Sequence, residues 1–512
     1  MEVKKNLFGG LTAAVIALPL GLAFGVASGL GATAGIYGAI ILGFFASLFG
    51  GTPTQISGPT GPMTVVMASA VVSLHSNINL IAMTIILSGV FQILFGLFKL
   101  GKFVRYIPYP VISGFMSGIG VIIIILQINP FLGLQSDASI VHILGTLFSN
   151  ISHSNIQAII LAILTLAIMF FTPSKIAKLI PTPLIALSVL TPLSIFLNFD
   201  VNTIGEIPTT LPKMIIPDLD FENYRLIISL AFTLAILGMI DTLLTSIVAD
   251  SITNTKHKPN KELIAQGIGN AICGLFGAIP GAGATMRTVI NVKSGGTNQI
   301  SGIIHSITLL LVVLFFAPLA SKIPMAILAG ILIKVGIDIL DYKFLTIWKE
   351  APQNDLLVML VVFFVTVFID LITAVGVGIV LSSMLIVYRI TKETNIVLDN
   401  HSQDLKYNID KHTRVIKVDG AFFFGSSMAF EDKTNSVLDI KRFVIDISDV
   451  PFIDLTAIFT LKDLIEKLKS QNIEVIIIAK EKDKLQLLRL NKHKVFDNIK
   501  FYDNIKQIKK DE

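Results

Sequence analysis

Along the first 392 residues, long apolar stretches alternate with short polar breaks. A helix that crosses a membrane needs about 20 mostly apolar residues. Twelve stretches come close to that, near 8–27, 31–50, 79–98, 106–129, 155–172, 182–198, 226–248, 261–278, 300–318, 323–339, 354–370 and 373–390. Two shorter pieces, 60–74 and 284–293, each follow a Gly/Pro-rich lead. Entering the membrane as half-helices, they bring the predicted crossings to fourteen. After Lys392 the pattern changes. Val415–Val418, Ala421–Phe424, Phe443–Ile447 and Val475–Ala479 read as strands, and Ala457–Lys469 and Lys482–Leu490 have helical spacing. Strands alternating with helices predict a small α/β domain.

Composition sharpens that division. Hydrophobic residues make up 53% and charged residues 15% of the chain, with a mean hydropathy of +0.77; soluble chains carry about 25% charged residues. The first 392 residues hold 35 charges and the last 120 hold 40. Residues 1–392 therefore read as a membrane domain and 393–512 as a soluble one. The net charge of +5 lies wholly in the membrane part, so it reports topology and not nucleic-acid binding. Cys273 is the single cysteine, which excludes an internal disulfide framework. Zinc-type Cys and His spacings are absent, so a metalloenzyme such as a carbonic anhydrase is not expected. Leu7–Val26 follows Lys4 and Lys5 as a signal peptide would. Pro19 and the apolar stretch that follows at once make it a first crossing instead.

Basic residues test the count. Loops after an even number of crossings carry fifteen Lys and Arg, among them Lys99, Lys102 and Arg105, Lys175 and Lys178, Lys256, Lys258 and Lys261, Lys343 and Lys349; loops after an odd number carry Lys213, Arg225 and Lys322. That asymmetry predicts cytoplasmic termini, and it holds only if both short pieces count as crossings.

The membrane part also repeats. Leu48-Phe49-Gly50-Gly51-Thr52-Pro53 recurs as Leu275-Phe276-Gly277-Ala278-Ile279-Pro280. Ile107-Pro108-Tyr109-Pro110-Val111-Ile112-Ser113-Gly114 recurs as Ile323-Pro324-Met325-Ala326-Ile327-Leu328-Ala329-Gly330. The halves, about 1–199 and 220–392, hold seven crossings each. Seven is odd, so the second half is inverted, as in secondary transporters.

The two half-helix leads occupy equivalent places in the halves: Ile56-Ser57-Gly58-Pro59-Thr60-Gly61-Pro62-Met63-Thr64 and Pro280-Gly281-Ala282-Gly283-Ala284-Thr285-Met286-Arg287-Thr288. Helix starts at membrane depth aim unpaired N–H groups and a positive dipole end at a cavity, which suits an anion. Arg287 either adds positive potential there or pairs structurally. Lys334 is expected to snorkel to an interface. Asp241 is the clearest carboxylate inside a crossing, with Thr245 four residues on and on the same helical face. Carboxylate, hydroxyl and loop carbonyls make a hard-oxygen cation site; alternatively Asp241 carries a proton. Asp370 reads as interfacial, and Gln92, Gln127 and Asn270 as helix-packing polar residues.

These stretches, with Leu7 to Pro19 and Ala278 to Gly296, resemble the SulP anion-transporter family, and within it the BicA-type sodium-dependent bicarbonate transporters. The run Phe443-Val444-Ile445-Asp446-Ile447-Ser448-Asp449-Val450-Pro451-Phe452-Ile453-Asp454-Leu455-Thr456-Ala457 resembles a STAS domain. The resemblance implies an α-helical membrane protein of fourteen spans as seven-plus-seven inverted repeats. That is a UraA/SulP-like core (spans 1–4 and 8–11) and gate (5–7 and 12–14) moving as an elevator, usually in a homodimer. It also implies a sodium site at Asp241, Thr245, Gly283, Ala284 and Thr285, and an anion site at Thr60, Gly61, Met63, Ala284 and Thr285, to which the reading of the residues adds Arg287. Asp at 241, where many relatives have Glu, favours sodium over proton coupling. Thr456 stands where signalling relatives carry a phosphorylated Ser, and its phosphorylation is not expected.

The reading is a sodium-coupled bicarbonate importer of the cytoplasmic (inner) membrane, with sodium as coupling ion, lipid and a second copy as partners, and no other cofactor. The alternatives are a proton-coupled sulfate or dicarboxylate transporter, or a STAS-based membrane signalling protein without transport.

Overall fold

The computed structural model describes residues 2–102, 107–137, 139–177, 180–205, 212–215, 217, 223–342, 346–347, 349–369, 371–399, 412–434, 440–490, 494–504 and 507. Arg105, Lys178, Lys343 and Asp370 lie outside them. The chain divides into two compact units, Met1–Ile379 and Val380–Glu512.

Among the described residues, a helix falls on each of the fourteen predicted crossings. The first half holds α1 (Glu2–Ala27), α2 (Ala32–Phe49), α3 (Gly61–Ser73), α4 (Ile78–Leu97), α5 (Tyr109–Leu126), α6 (Ile156–Phe171) and α7 (Thr182–Phe196). The second holds α8 (Tyr224–Thr253), α9 (Pro259–Leu275), α10 (Thr285–Lys293), α11 (Ile300–Ala320), α12 (Met325–Ile339), α13 (Gln353–Phe368) and α14 (Leu371–Glu393). Six of these are by themselves long and apolar enough to cross a membrane. At 1.5 Å per residue, α3 and α10 rise only ~20 Å and ~14 Å. Each needs its extended lead to complete a crossing. Those leads hold β1 (Ser57–Gly58) and β2 (Ala282–Gly283), which pair antiparallel.

Small residues set how closely the helices approach. A Cβ at Gly120 on α5 would sit 2.6 Å from the Gly336 carbonyl, and one at Gly336 on α12 would sit 2.8 Å from the Gly120 carbonyl. The two positions are 216 apart, the offset of the Ile107 and Ile323 motifs, so matched points of the two repeats touch each other. Around them α9 packs on α4 and α2, α1 on α11, and α13 on α5. Lys334 does not snorkel free: it pairs with Asp338 one turn on, and its ammonium lies 5.1 Å from the centre of the Phe170 ring. Four carbons of stem let it reach both without leaving its half-buried position.

The C-terminal unit is a five-stranded sheet with strands in sequence order: β3 (Asn395–Asp399), β4 (Thr413–Asp419), β5 (Arg442–Asp446), β6 (Glu474–Ile478) and β7 (Lys500–Tyr502). Only β3 runs antiparallel to its neighbour. Helices α15 (Phe424–Thr434), α16 (Leu455–Ser470) and α17 (Glu481–Arg489) accompany it, and Ile445, Ile477, Phe422 and Leu461 form its core. The expected strand at Ala421–Phe424 is not one. Phe422 makes a single bridge to Ile453, and the chain then turns into α15, whose first residue is Phe424. Apolar spacing over four residues does not separate a buried bridge from a strand. Across β5, β6 and β7, Arg442 and Lys500 flank Glu474 at 2.9 and 3.1 Å and hold its carboxyl below its ordinary value. Thr456 is exposed in the first turn of α16, beside the capping Asp454.

Candidate functional site

The β1–β2 pair brings the two half-helix starts together. Ser57 faces Gly283 and Gly58 faces Ala282. The Ala284 N–H donates to the Ile56 carbonyl at 2.8 Å, and the Ile56 N–H donates to the Thr288 hydroxyl at 3.0 Å. Neither half-helix has a side-chain cap: α3 starts after Thr60 and α10 after Ala284. On α10 the first intrahelical donor is Thr288, to the Ala284 carbonyl. The N–H groups of Thr285, Met286 and Arg287 therefore have no partner within the helix, the arrangement that attracts an anion.

The crossing of the two leads leaves no room for a side chain at Gly281. A Cβ on Gly281 would lie 2.1 Å from the Gly58 carbonyl oxygen. Gly281→Ala should force the two leads apart at an overpacking cost of about 1–3 kcal/mol. A drop in thermal stability together with lost uptake is the expected result; wild-type behaviour in both would contradict the packing described.

Helix α8 supplies the predicted cation residues. The Thr245 hydroxyl donates to the Gly283 carbonyl at 2.9 Å and lies 2.6 Å from the Thr285 hydroxyl. One turn earlier, the Thr242 hydroxyl accepts from the Gly283 N–H at 3.1 Å. Asp241 on the same helix has its Oδ2 buried with no hydrogen-bond partner at ordinary distance; the Thr60 hydroxyl is the polar group it faces, and the Arg287 guanidinium is the opposite charge that acts on it. The Thr60 hydroxyl is also buried without a partner. The two groups face each other across the junction, a carboxylate from one repeat and a hydroxyl from the other. Gly283 and Thr285 thus meet Thr245, while Thr60 comes from the other repeat.

Other predicted residues take different positions. Met63 is fully buried, and its Cε lies 3.6 Å from where a Gly238 Cβ would stand on α8. Its side chain packs against α8. Gly61, buried as well, is hemmed by Ile123 and Ile339. Arg287 is 2% exposed. Its Nη2 donates to the Pro59 carbonyl, and Nη1 has no partner. It therefore staples the α3 lead to α10 and places positive charge behind the two helix starts. Both roles weighed for it from sequence are compatible with this position.

The support beneath the site was legible only in part: Gln92 and Asn270 are helix-packing polar residues, as expected, while Glu262 and Gln266 were not singled out. Glu262, Gln266 and Asn270 form a ladder four residues apart on α9. Glu262 accepts from the Gly51 and Thr52 N–H groups at 2.7 and 2.8 Å, from Gln55 at 3.0 Å and from Gln266 at 2.9 Å. Gln266 also donates to the Ser57 hydroxyl at 2.5 Å. Asn270 donates to Gln92 at 2.8 Å, donates to the Gly281 carbonyl at 3.0 Å and accepts from the Gly281 N–H at 2.9 Å. Ser246 on α8 joins in through Thr52 at 2.8 Å and Gln55 at 2.9 Å. One helix face thus holds both leads. The signal was present: a glutamate near the start of a predicted crossing, with amides at i+4 and i+8. On α11, His305 is likewise fully buried, with neither ring nitrogen partnered.

Residues 3–362 match the sulfate permease family and residues 405–508 match the STAS domain. A bicarbonate transporter BicA of Picosynechococcus sp. is 43% identical over 525 residues, covering 97% of this chain and 92% of that protein. A BicA of Synechocystis sp. is 42% identical over 531 residues, covering 100% and 94%. Among solved structures, the transmembrane domain of a cyanobacterium bicarbonate transporter BicA aligns with a TM-score of 0.69 at 49% identity, covering 73% of this chain and 98% of that one. The chain belongs to the SulP sulfate permease family and carries a C-terminal STAS domain.

Proposed function

We propose that this multi-pass anion transporter imports bicarbonate together with sodium, by an elevator motion of α1–α4 and α8–α11 against α5–α7 and α12–α14. The bicarbonate assignment draws on relatives with that name that are 42–43% identical over nearly the whole chain. The observation that carries the coupling is the convergence of Thr245, the Gly283 carbonyl and Thr285 beside an unpartnered Asp241 oxygen. These are hard oxygens of the kind that replace a small cation's hydration shell.

In this reading the two ions support one another. The anion lies at the uncapped starts of α3 and α10, with Thr60 as a hydroxyl donor. Sodium bound at Asp241 offsets the carboxylate that would otherwise repel the anion, so each ion raises the affinity for the other. The ladder on α9 ties both leads to α8 and α9, so the half-helices travel with the core as one body. The C-terminal domain serves contact between copies or regulation and does not hold the substrate.

Uptake of labelled bicarbonate and labelled sulfate into proteoliposomes, with inward sodium or with choline at fixed pH, tests the reading. Sodium-dependent bicarbonate uptake is expected. Sulfate uptake driven by a proton gradient and indifferent to sodium would transfer Asp241 to proton carrying. No flux of either anion would favour the signalling alternative.

A further inference from the structure

Away from the ion site, a cavity of about 850 Å³ opens between α1, α7 and α11. Val15 and Leu18 of α1, Leu187 of α7, Val312 of α11 and Ile323 give it apolar walls. It is too apolar to pass a small anion, and the helices around it are membrane crossings. Three hydroxyl residues, Ser188, Thr191 and Thr308, interrupt the lining. Thr191 is 5% exposed, lines the cavity, and its hydroxyl has no hydrogen-bond partner. Thr308, also in the wall, spends its hydroxyl on the Ile304 carbonyl at 2.8 Å. Pro192 sits inside α7 and has no N–H, so the Ser188 carbonyl lacks its usual donor. In hydrocarbon such groups must find partners. Thr191 lies five residues before the α7 terminus at Phe196, about 7.5 Å of helix rise.

We propose that this groove is a lipid site. It takes one acyl chain of a bilayer phospholipid, and the ester carbonyl of that chain accepts from the Thr191 hydroxyl. An apolar groove within hydrocarbon is filled by tails, and the cavity size is in the range of small-molecule sites, about 300–1,000 Å³. The position gives the lipid a role. α1 and α11 belong to the proposed core and α7 to the proposed gate, so the tail lies between the two bodies and must rearrange when one moves past the other. This consequence, though not the site, rests on the elevator reading above.

The test uses the full chain in bilayers containing a phospholipid with a photoreactive diazirine on its acyl chain. After illumination, adducts are mapped by peptide mass spectrometry. Segments 184–196 and 308–312 should be labelled at least about threefold above the exposed α6 residues Ile160, Ile163 and Phe171, a modest preference for a bound over a bulk tail. Ser188→Phe and Val15→Phe, which fill the groove from opposite walls, should bring that labelling down to the α6 level and leave α6 unchanged. Thr191→Val should lower it without closing the groove. Groove labelling equal to that of α6, or indifferent to both filling variants, overturns the site. Because labelling does not require transport, absent bicarbonate uptake with intact labelling would fault the transport reading alone.

Discussion

Asp241→Asn is expected to remove the sodium dependence of bicarbonate uptake, or uptake itself, while the protein remains folded. The substitution keeps the shape of the side chain and removes its charge. It also turns one of the two carboxylate oxygens into a donor, which a cation cannot use. Oδ2 of Asp241 is buried without a hydrogen-bond partner at ordinary distance, a charge at membrane depth costs at least about 2.5 kcal/mol on the insertion scale, and Arg287 offsets that burial only in part. The native carboxylate therefore gains more from a bound cation than a solvated one would. Losing it should weaken apparent sodium affinity by at least about tenfold, some 1.4 kcal/mol. Thr245→Val should act in the same direction, because it removes the hydroxyl that meets Gly283 and Thr285. Sodium titrations of uptake, with thermal shift in sodium against choline as a second readout, measure both variants. If the unmutated protein takes up bicarbonate equally in potassium, choline and sodium at fixed pH, the coupling assignment is wrong.

The parts of this site that could be read from the sequence differ in kind from those that could not. Hydropathy located twelve of the helices because such a crossing is a local property of about twenty residues; α3 and α10 are shorter and were legible through their Gly/Pro-rich leads and the placement of Lys and Arg. The inverted repeat was legible because two motifs recur in order, and the Gly120–Gly336 contact puts matched positions of those repeats face to face. Asp241 and Thr245 stood out because four residues make one helical turn. What joins the halves was not legible. Ser57 pairs with Gly283, and Ile56 meets Thr288, across more than two hundred residues. Nothing local in either lead names its partner. Met63 shows a further limit: its place in the first turn of α3 was legible, but not that its side chain would pack against Gly238 of α8. In the C-terminal unit the short edge strands β3 and β7 were missed, whereas the buried central strands were found, because continuous apolar runs mark only the latter.

Glu262 carries the second large expectation, and it concerns stability. Four buried donors converge on its two oxygens: the Gly51 and Thr52 N–H groups and the amides of Gln55 and Gln266. Glu262→Ala removes the acceptor and leaves the donors in place. Each buried donor left unpaired costs about 1–3 kcal/mol, and domains have only about 5–15 kcal/mol of stability in all. The Ala variant should therefore fail to give a monodisperse protein at ordinary temperature. Glu262→Gln keeps one acceptor oxygen and turns an NH₂ toward groups that are themselves donors. It should fold, melt several degrees lower, and transport more slowly, because the lead that positions Thr60 loses half its anchor. Gln55→Ala made on top of Glu262→Gln should cost less than it does alone, since the two side chains share one network. Fluorescence-detected size-exclusion chromatography after heating gives the order wild type, Gln, Ala. A Glu262→Ala protein melting within about a degree of wild type would mean that the α9 ladder does not hold the half-helix leads. The rigid-core mechanism, in which both leads move with α8 and α9, would then lose its physical basis.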